Sequence, residues 1–217
     1  MLNKIQIRYL LLCILSVIVV TTSVWFASTL GAAETKNAEP WPPFVMVYTD
    51  WGAQRGPDKT PGYVKARIIY KDSRHWRSEI LEDSVMPSFA GSFTEFSGNQ
   101  LTGFNSTFNQ TTTVAEPTNP KLAPDDWLLP GQIAYLKQKP NISLQPSPQS
   151  GFSKLIKSEE IPCDPDVTRC EKSTTLVVTE FLYDSKFELP MGMTVYSNNQ
   201  KSRQVTVDEF SWTTPTR

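Results

Sequence analysis

The chain has 217 residues, a formal net charge of −1, one histidine and three cysteines. That length fits one domain with an appendage, and a mildly acidic balance with both signs interspersed has no electrostatic footprint for nucleic acid. So few histidines and cysteines, with no His-Glu-x-x-His and no cysteine cluster, give no metal site and imply no cofactor.

Lys4 and Arg8 precede an uncharged run from Tyr9 to Ala33. A positive flank followed by an apolar run is what a translocon reads, and the positive end stays in the cytoplasm. Two readings of residues 1–33 stand side by side. Gly31-Ala32-Ala33 offers the small residues of a signal-peptide cleavage site. The run is also long enough to span a bilayer of roughly 30 Å as a hydrophobic helix, with Trp25 and Phe26 suited to the interface. Both place the rest of the chain outside the cytoplasm, in a periplasm or at a cell surface. Cys13 follows Leu12 rather than the small residue a bacterial lipoprotein signal requires, so lipidation there is not expected.

Residues 34–43 form a polar tether ending in Trp41-Pro42-Pro43, and 44–217 form the extracytoplasmic domain. Phe44 to Thr49 reads as a first strand, and Gly52 to Gly62 as a loop broken by Gly56-Pro57 and Pro61-Gly62. In Tyr63 to Tyr70 the alternation puts Val64, Ala66, Ile68 and Tyr70 on one face. Lys71 to Arg74 turns the chain, and His75 to Glu82 returns as the second arm of a hairpin. Short strands follow at 92–96, 101–108 and 110–115.

From Glu116 to Ser150 the chain is proline-rich, and it reads as a loop or cover. Inside it, Pro124 to Leu129 is expected to form a short helix, with proline and acids in its first turn. Ile133 to Leu136 fits helix or strand. Cys163 and Cys170 bracket Asp-Pro-Asp-Val-Thr-Arg, and outside the cytoplasm such a pair is expected to form a disulfide. Strands are expected again at 173–183, 193–197 and 203–210, with turns at Asp184 to Lys186 and Asn198 to Lys201. Short alternating strands with regularly spaced turns argue a mainly β domain. The expected form is an antiparallel meander making an open half-barrel or a sandwich, with one or two short helices.

Catalytic signatures are missing. There is no Gly-x-Ser-x-Gly elbow, no Ser-x-x-Lys pair and no phosphate-binding loop after a strand. Asp125/Asp126 and Glu159/Glu160 are adjacent acids, which cannot flank a sugar ring as glycosidase carboxylates do. The aromatic residues are the other chemistry on offer. In strands they serve as core packing, or they line a concave sheet that holds an apolar ligand. Tyr70, Trp76, Phe104 and Trp127 are the candidate ligand-lining residues, chosen for size and position.

The stretch Phe181 to Asn198, containing Tyr183-Asp184, Leu189-Pro190 and the Asn198 turn, resembles bacterial lipoprotein-carrier and lipoprotein-sensor proteins. So do the ending Val205 to Phe210 and the patches Val64 to Tyr70 and Trp76 to Ile80. The resemblance covers about a third of the chain. It implies an unclosed β-barrel with a helical lid over an apolar cavity, in proteins that carry or sense lipoproteins at a membrane. The chain departs from that pattern in having a tether where carriers place a helix before the first strand. No lid helix is evident outside the Trp127 region.

These readings lead to a non-enzymatic extracytoplasmic protein that holds a lipid, acyl chain or lipoprotein on a concave sheet. The alternatives are an envelope interaction module without a cavity and a hydrolase with an unrecognised site.

Overall fold

The structure is a computed structural model that describes residues 41–55, 61–115, 123–162 and 174–213. The hydrophobic N-terminal segment, most of the tether and the Cys163/Cys170 loop lie outside the described residues. Among the described residues, no helix is long and apolar enough to cross a membrane.

The described residues form eleven strands: β1 (Phe44–Arg55), β2 (Pro61–Asp72), β3 (His75–Asp83), β4 (Phe93–Ser97), β5 (Gln100–Asn105), β6 (Gln110–Ala115), β7 (Ile142–Pro146), β8 (Phe152–Pro162), β9 (Thr174–Asp184), β10 (Pro190–Ser197) and β11 (Gln200–Trp212). A 3-10 turn, Pro87–Phe89, and one helix, α1 (Gln132–Lys137), complete the elements described. All these strands join one antiparallel sheet in the order β6-β5-β4-β3-β2-β1-β11-β10-β9-β8-β7. The expected mainly β, antiparallel meander is therefore what forms, as one open half-barrel sheet rather than two packed sheets. β1 lies in the middle of the sheet, the following strands run out in order to β6 at one edge, β7 forms the other edge, and β8 to β11 run back until β11 pairs with β1.

Local chemistry explains the hairpins. Two-residue loops that follow the right-handed twist of strands need φ > 0. Asn198 and Asn199 supply φ of 49° and 64° between the paired Ser197 and Gln200. At the β2–β3 turn Asp72 accepts the Arg74 amide at 2.7 Å and faces the His75 ring at 2.9 Å. Register shifts at Val47/Tyr48, Lys65/Ala66 and Val195/Tyr196 mark bulges or irregularities, features that add twist and bend a sheet. In β2, Ala66, Ile68 and Tyr70 are buried and Val64 is partly buried, as the alternation required.

The stretch 116–150 departs from expectation. The run 124–129 forms turns rather than a helix, and the helix starts later, at Gln132. A residue before proline is pushed out of helical geometry, so Leu129 before Pro130 ends any turn begun at Pro124. Strand β7 also falls inside this stretch, and β8 follows it; neither was anticipated. β8 carries Lys154, Lys157, Glu159 and Glu160 and buries only Leu155 fully, so its sequence lacks an apolar alternation.

Candidate ligand-binding face

Residues paired across adjacent strands share a face of the sheet, so the register assembles the concave face row by row. The first row runs Val114, Leu101, Phe96, Trp76, Tyr70, Phe44, Trp212 from β6 to β11. All seven are apolar or aromatic. Phe44 and Tyr70 stack with ring centroids 5.0 Å apart, and Trp41 closes on Tyr70 at 5.6 Å. The second row runs Thr112, Gly103, Thr94, Ser78, Ile68, Met46, Phe210. Its four members on β6 to β3 are small. A Cβ added at Gly103 would meet nothing within 4 Å, so the face is open there.

Two donors in the first row are buried and unpartnered among the described residues: the Tyr70 hydroxyl and the Trp76 indole N–H. Burial, aided by the nearby Asp72 charge, pushes the Tyr70 hydroxyl up to about 12, so it keeps its proton. A buried donor without a partner carries a cost of about 1–3 kcal/mol. A ligand oxygen or a water would relieve it.

The segment 123–141 covers the middle of the same face. Trp127, Leu128, Ile133 and Leu136 are buried there, and the Trp127 ring meets Tyr48 edge-on at 5.2 Å. A polar clasp fixes its first half. Arg203 on β11 donates to Asp50 of β1 from Nε at 3.0 Å and Nη2 at 2.5 Å, and to Asp126 of the cover from Nη1 and Nη2 at 2.8 Å. Beside it, the Tyr48 hydroxyl donates to Asp125. The second half is tied where Lys137 of α1 donates to Glu188 at 2.5 Å and lies 4.8 Å over the Tyr183 ring.

The clasp holds its protons unevenly. Burial, with the Asp126 charge next to it, pushes Asp125 up to about 7. Burial also raises Asp50, against the pull of Arg203. Desolvation acts on Asp126 too, but hydrogen bonds from Arg203 outweigh it and hold the carboxyl below its ordinary value. Tyr48 is raised by burial and then by Asp125. Desolvation disfavours the Arg203 charge, yet hydrogen bonds to Asp126 and Asp50 more than compensate, so it stays a cation. The arrangement binds a cover to a sheet.

Of the four residues singled out from the sequence, Tyr70 and Trp76 are directly paired on the concave face, and Trp127 is on the cover. Phe104 lies on the opposite face. It pairs with Phe93, stacked at 5.5 Å, and the Arg77 guanidinium sits 3.7 Å over Phe93. Tyr48, Asp50, Asp125, Asp126 and Arg203 were missed. One signal pointed to them: Asp50 continues the inward parity of Phe44, Met46 and Tyr48, so a carboxylate enters the core and needs a partner.

No family model and no curated protein matches the chain. Among solved structures, an uncharacterized conserved protein from Thermus thermophilus is similar at 13% identity and a TM-score of 0.48, covering 81% of each chain. A putative outer membrane lipoprotein-sorting protein domain from Vibrio parahaemolyticus is similar at 10% identity and TM-score 0.35, covering 82% of this chain and 88% of that one. A LolA superfamily protein from Nitrosomonas europaea gives 11% identity and TM-score 0.34, covering 82% and 87%.

Proposed function

We propose that this chain is a non-enzymatic extracytoplasmic binding protein that holds a lipid, an acyl chain or the lipid part of a lipoprotein on the concave face of its sheet. The observation that carries the reading is the open strip of that face. Gly103 has free space above it in a row of small side chains, and this open stretch borders an apolar row that runs from the exposed Val114 to the buried Phe96, Trp76, Tyr70 and Phe44, where two donors are buried without a partner among the described residues. Burying acyl chain on such a strip stabilises the complex by about 0.8 kcal/mol per CH₂. Tyr70 and Trp76 would meet the carbonyl or ester oxygens. Trp127 and its segment would act as the movable cover, clasped when the site is empty. The N-terminal segment, as anchor or leader, would put this face on the far side of a membrane.

The test is organic extraction of the exported domain, purified without detergent, followed by mass spectrometry. Stoichiometric lipid supports the reading. A folded, lipid-free sample that also fails to take up an acyl-chain probe overturns it and leaves the interaction-module alternative.

A further inference from the structure

We infer that the outer edge of β6 is a pairing surface for a second copy of this chain, joining two sheets edge to edge across a two-fold axis. β6 is one of two edge strands, and all six of its residues, Gln110 to Ala115, are exposed. Among the described residues no strand pairs on its outer side. An edge strand displays a row of unpaired N–H and C=O groups, and proteins usually blunt it with lysine, proline or another charge. β6 has none of these. The opposite edge, β7, is shorter and ends in Pro146, which has no N–H to donate.

The composition of β6 selects the occupant. A strand meeting its own copy brings every side chain close to a copy of itself or of a near neighbour, so one charge becomes a like-charge pair. β6 avoids this: Thr111, Thr112, Thr113 and Val114 are uncharged, and threonine opposite threonine is a favourable cross-strand pair. Geometry then restricts the register. Outward-facing backbone groups alternate along a strand, so symmetric antiparallel pairing must be centred on a residue and not between two. The central residues are Thr112 and Thr113, so either parity puts a threonine on the axis. Val114, half exposed in the single chain, is covered by the partner strand. Pairing β6 with β7 instead would be head-to-tail and would not close, and the proline opposes it.

The experiment is cysteine crosslinking of the full chain in its oxidising compartment, read on non-reducing gels against the unsubstituted chain. Residues facing each other across an antiparallel axis lie about 4.5–5.5 Å apart, within disulfide reach, while the next position along is out of reach. Thr112→Cys or Thr113→Cys, but not both, gives a covalent dimer at about ten-fold the yield of Gln145→Cys on β7. Light scattering of the unsubstituted chain then shows reversible dimer. Equal yields at all three positions, no dimer at either threonine, or a crosslink to a different polypeptide overturns the inference. Lipid binding is not read, so the outcome is independent of the proposed function.

Discussion

The two wings of the sheet are built on different principles. From β2 to β6 the chain folds as successive hairpins, each strand pairing with the one before it, and its concave face keeps an open strip. From β7 to β10 the strands are also sequential, but the face beside them is filled by the cover, whose place depends on the clasp that joins the buried Asp50 of β1, the partly buried Arg203 of β11 and the exposed Asp126. Local pairing leaves open space over Gly103. Long-range polar contacts commit a face to the protein itself.

The largest effect expected from breaking this contrast is at Arg203. Arg203→Ala strands Asp50 in the core without its cation, and removing one partner of a buried pair costs about 3–5 kcal/mol. Arg77→Ala, on the outer face of the other wing, breaks a partly exposed pair with Glu95 at 3.3 Å. That should cost no more than about 1 kcal/mol. Urea denaturation of the two variants measures the difference, and equal losses would remove the distinction between the wings.

Next in size is the cover's own packing. Leu128 is fully buried, and Leu128→Ala should cost about 2–5 kcal/mol. If the cover opens independently, acrylamide quenching of Trp127 rises before the far-ultraviolet signal of the sheet is lost. Simultaneous change would mean that cover and sheet unfold as one unit.

A smaller effect is set by pH. Asp125 is raised to about 7 in the folded chain, while an unfolded aspartate releases its proton near 4. The folded state therefore keeps a proton that the unfolded state has lost. Stability from this group is complete below about pH 4 and declines as pH rises to about 7. Tyr48, Asp50, Asp126 and Arg203 face or adjoin it, and of these Arg203 remains charged throughout. Asp125→Asn should flatten the stability profile between pH 4 and 7; an unchanged profile would assign the proton elsewhere.

The same contrast explains what could be read from the residues. The β2–β3 hairpin was legible because Ala66, Ile68 and Tyr70 alternate with Lys65, Arg67 and Ile69 around a polar turn. β11 was legible from Val205 and Val207 against Thr206 and Asp208. β8 was not, because its charges are answered across the ladder, as in Lys154 with Glu180 at 2.7 Å, and leave no apolar period. The clasp was illegible for another reason. Asp126 and Asp50 lie 77 and 153 positions from Arg203, and nothing local brings them together. The parity of Val64, Ala66, Ile68 and Tyr70 was visible, but the pairing of Trp76 with Tyr70 and the place of Phe104, chosen like them for size and position, on the other side needed the register of β2 to β5. Tyr70 and Trp76 are also so deeply buried that an aspartate at either would threaten the fold as well as the ligand. Gly103 is the better probe.

The most direct measurement is titration of an acyl-chain fluorescent probe into the exported protein and its Gly103→Leu variant. Gly103 sits in a strand with open space above it, so leucine is accommodated and circular dichroism should be unchanged. The account predicts that the original chain binds the probe and that the leucine, filling the strip between Thr94 and Thr112, weakens binding by at least about ten-fold, or 1.4 kcal/mol. Equal binding by a folded Gly103→Leu variant would contradict it, because the ligand would then lie somewhere other than the open strip of the concave face.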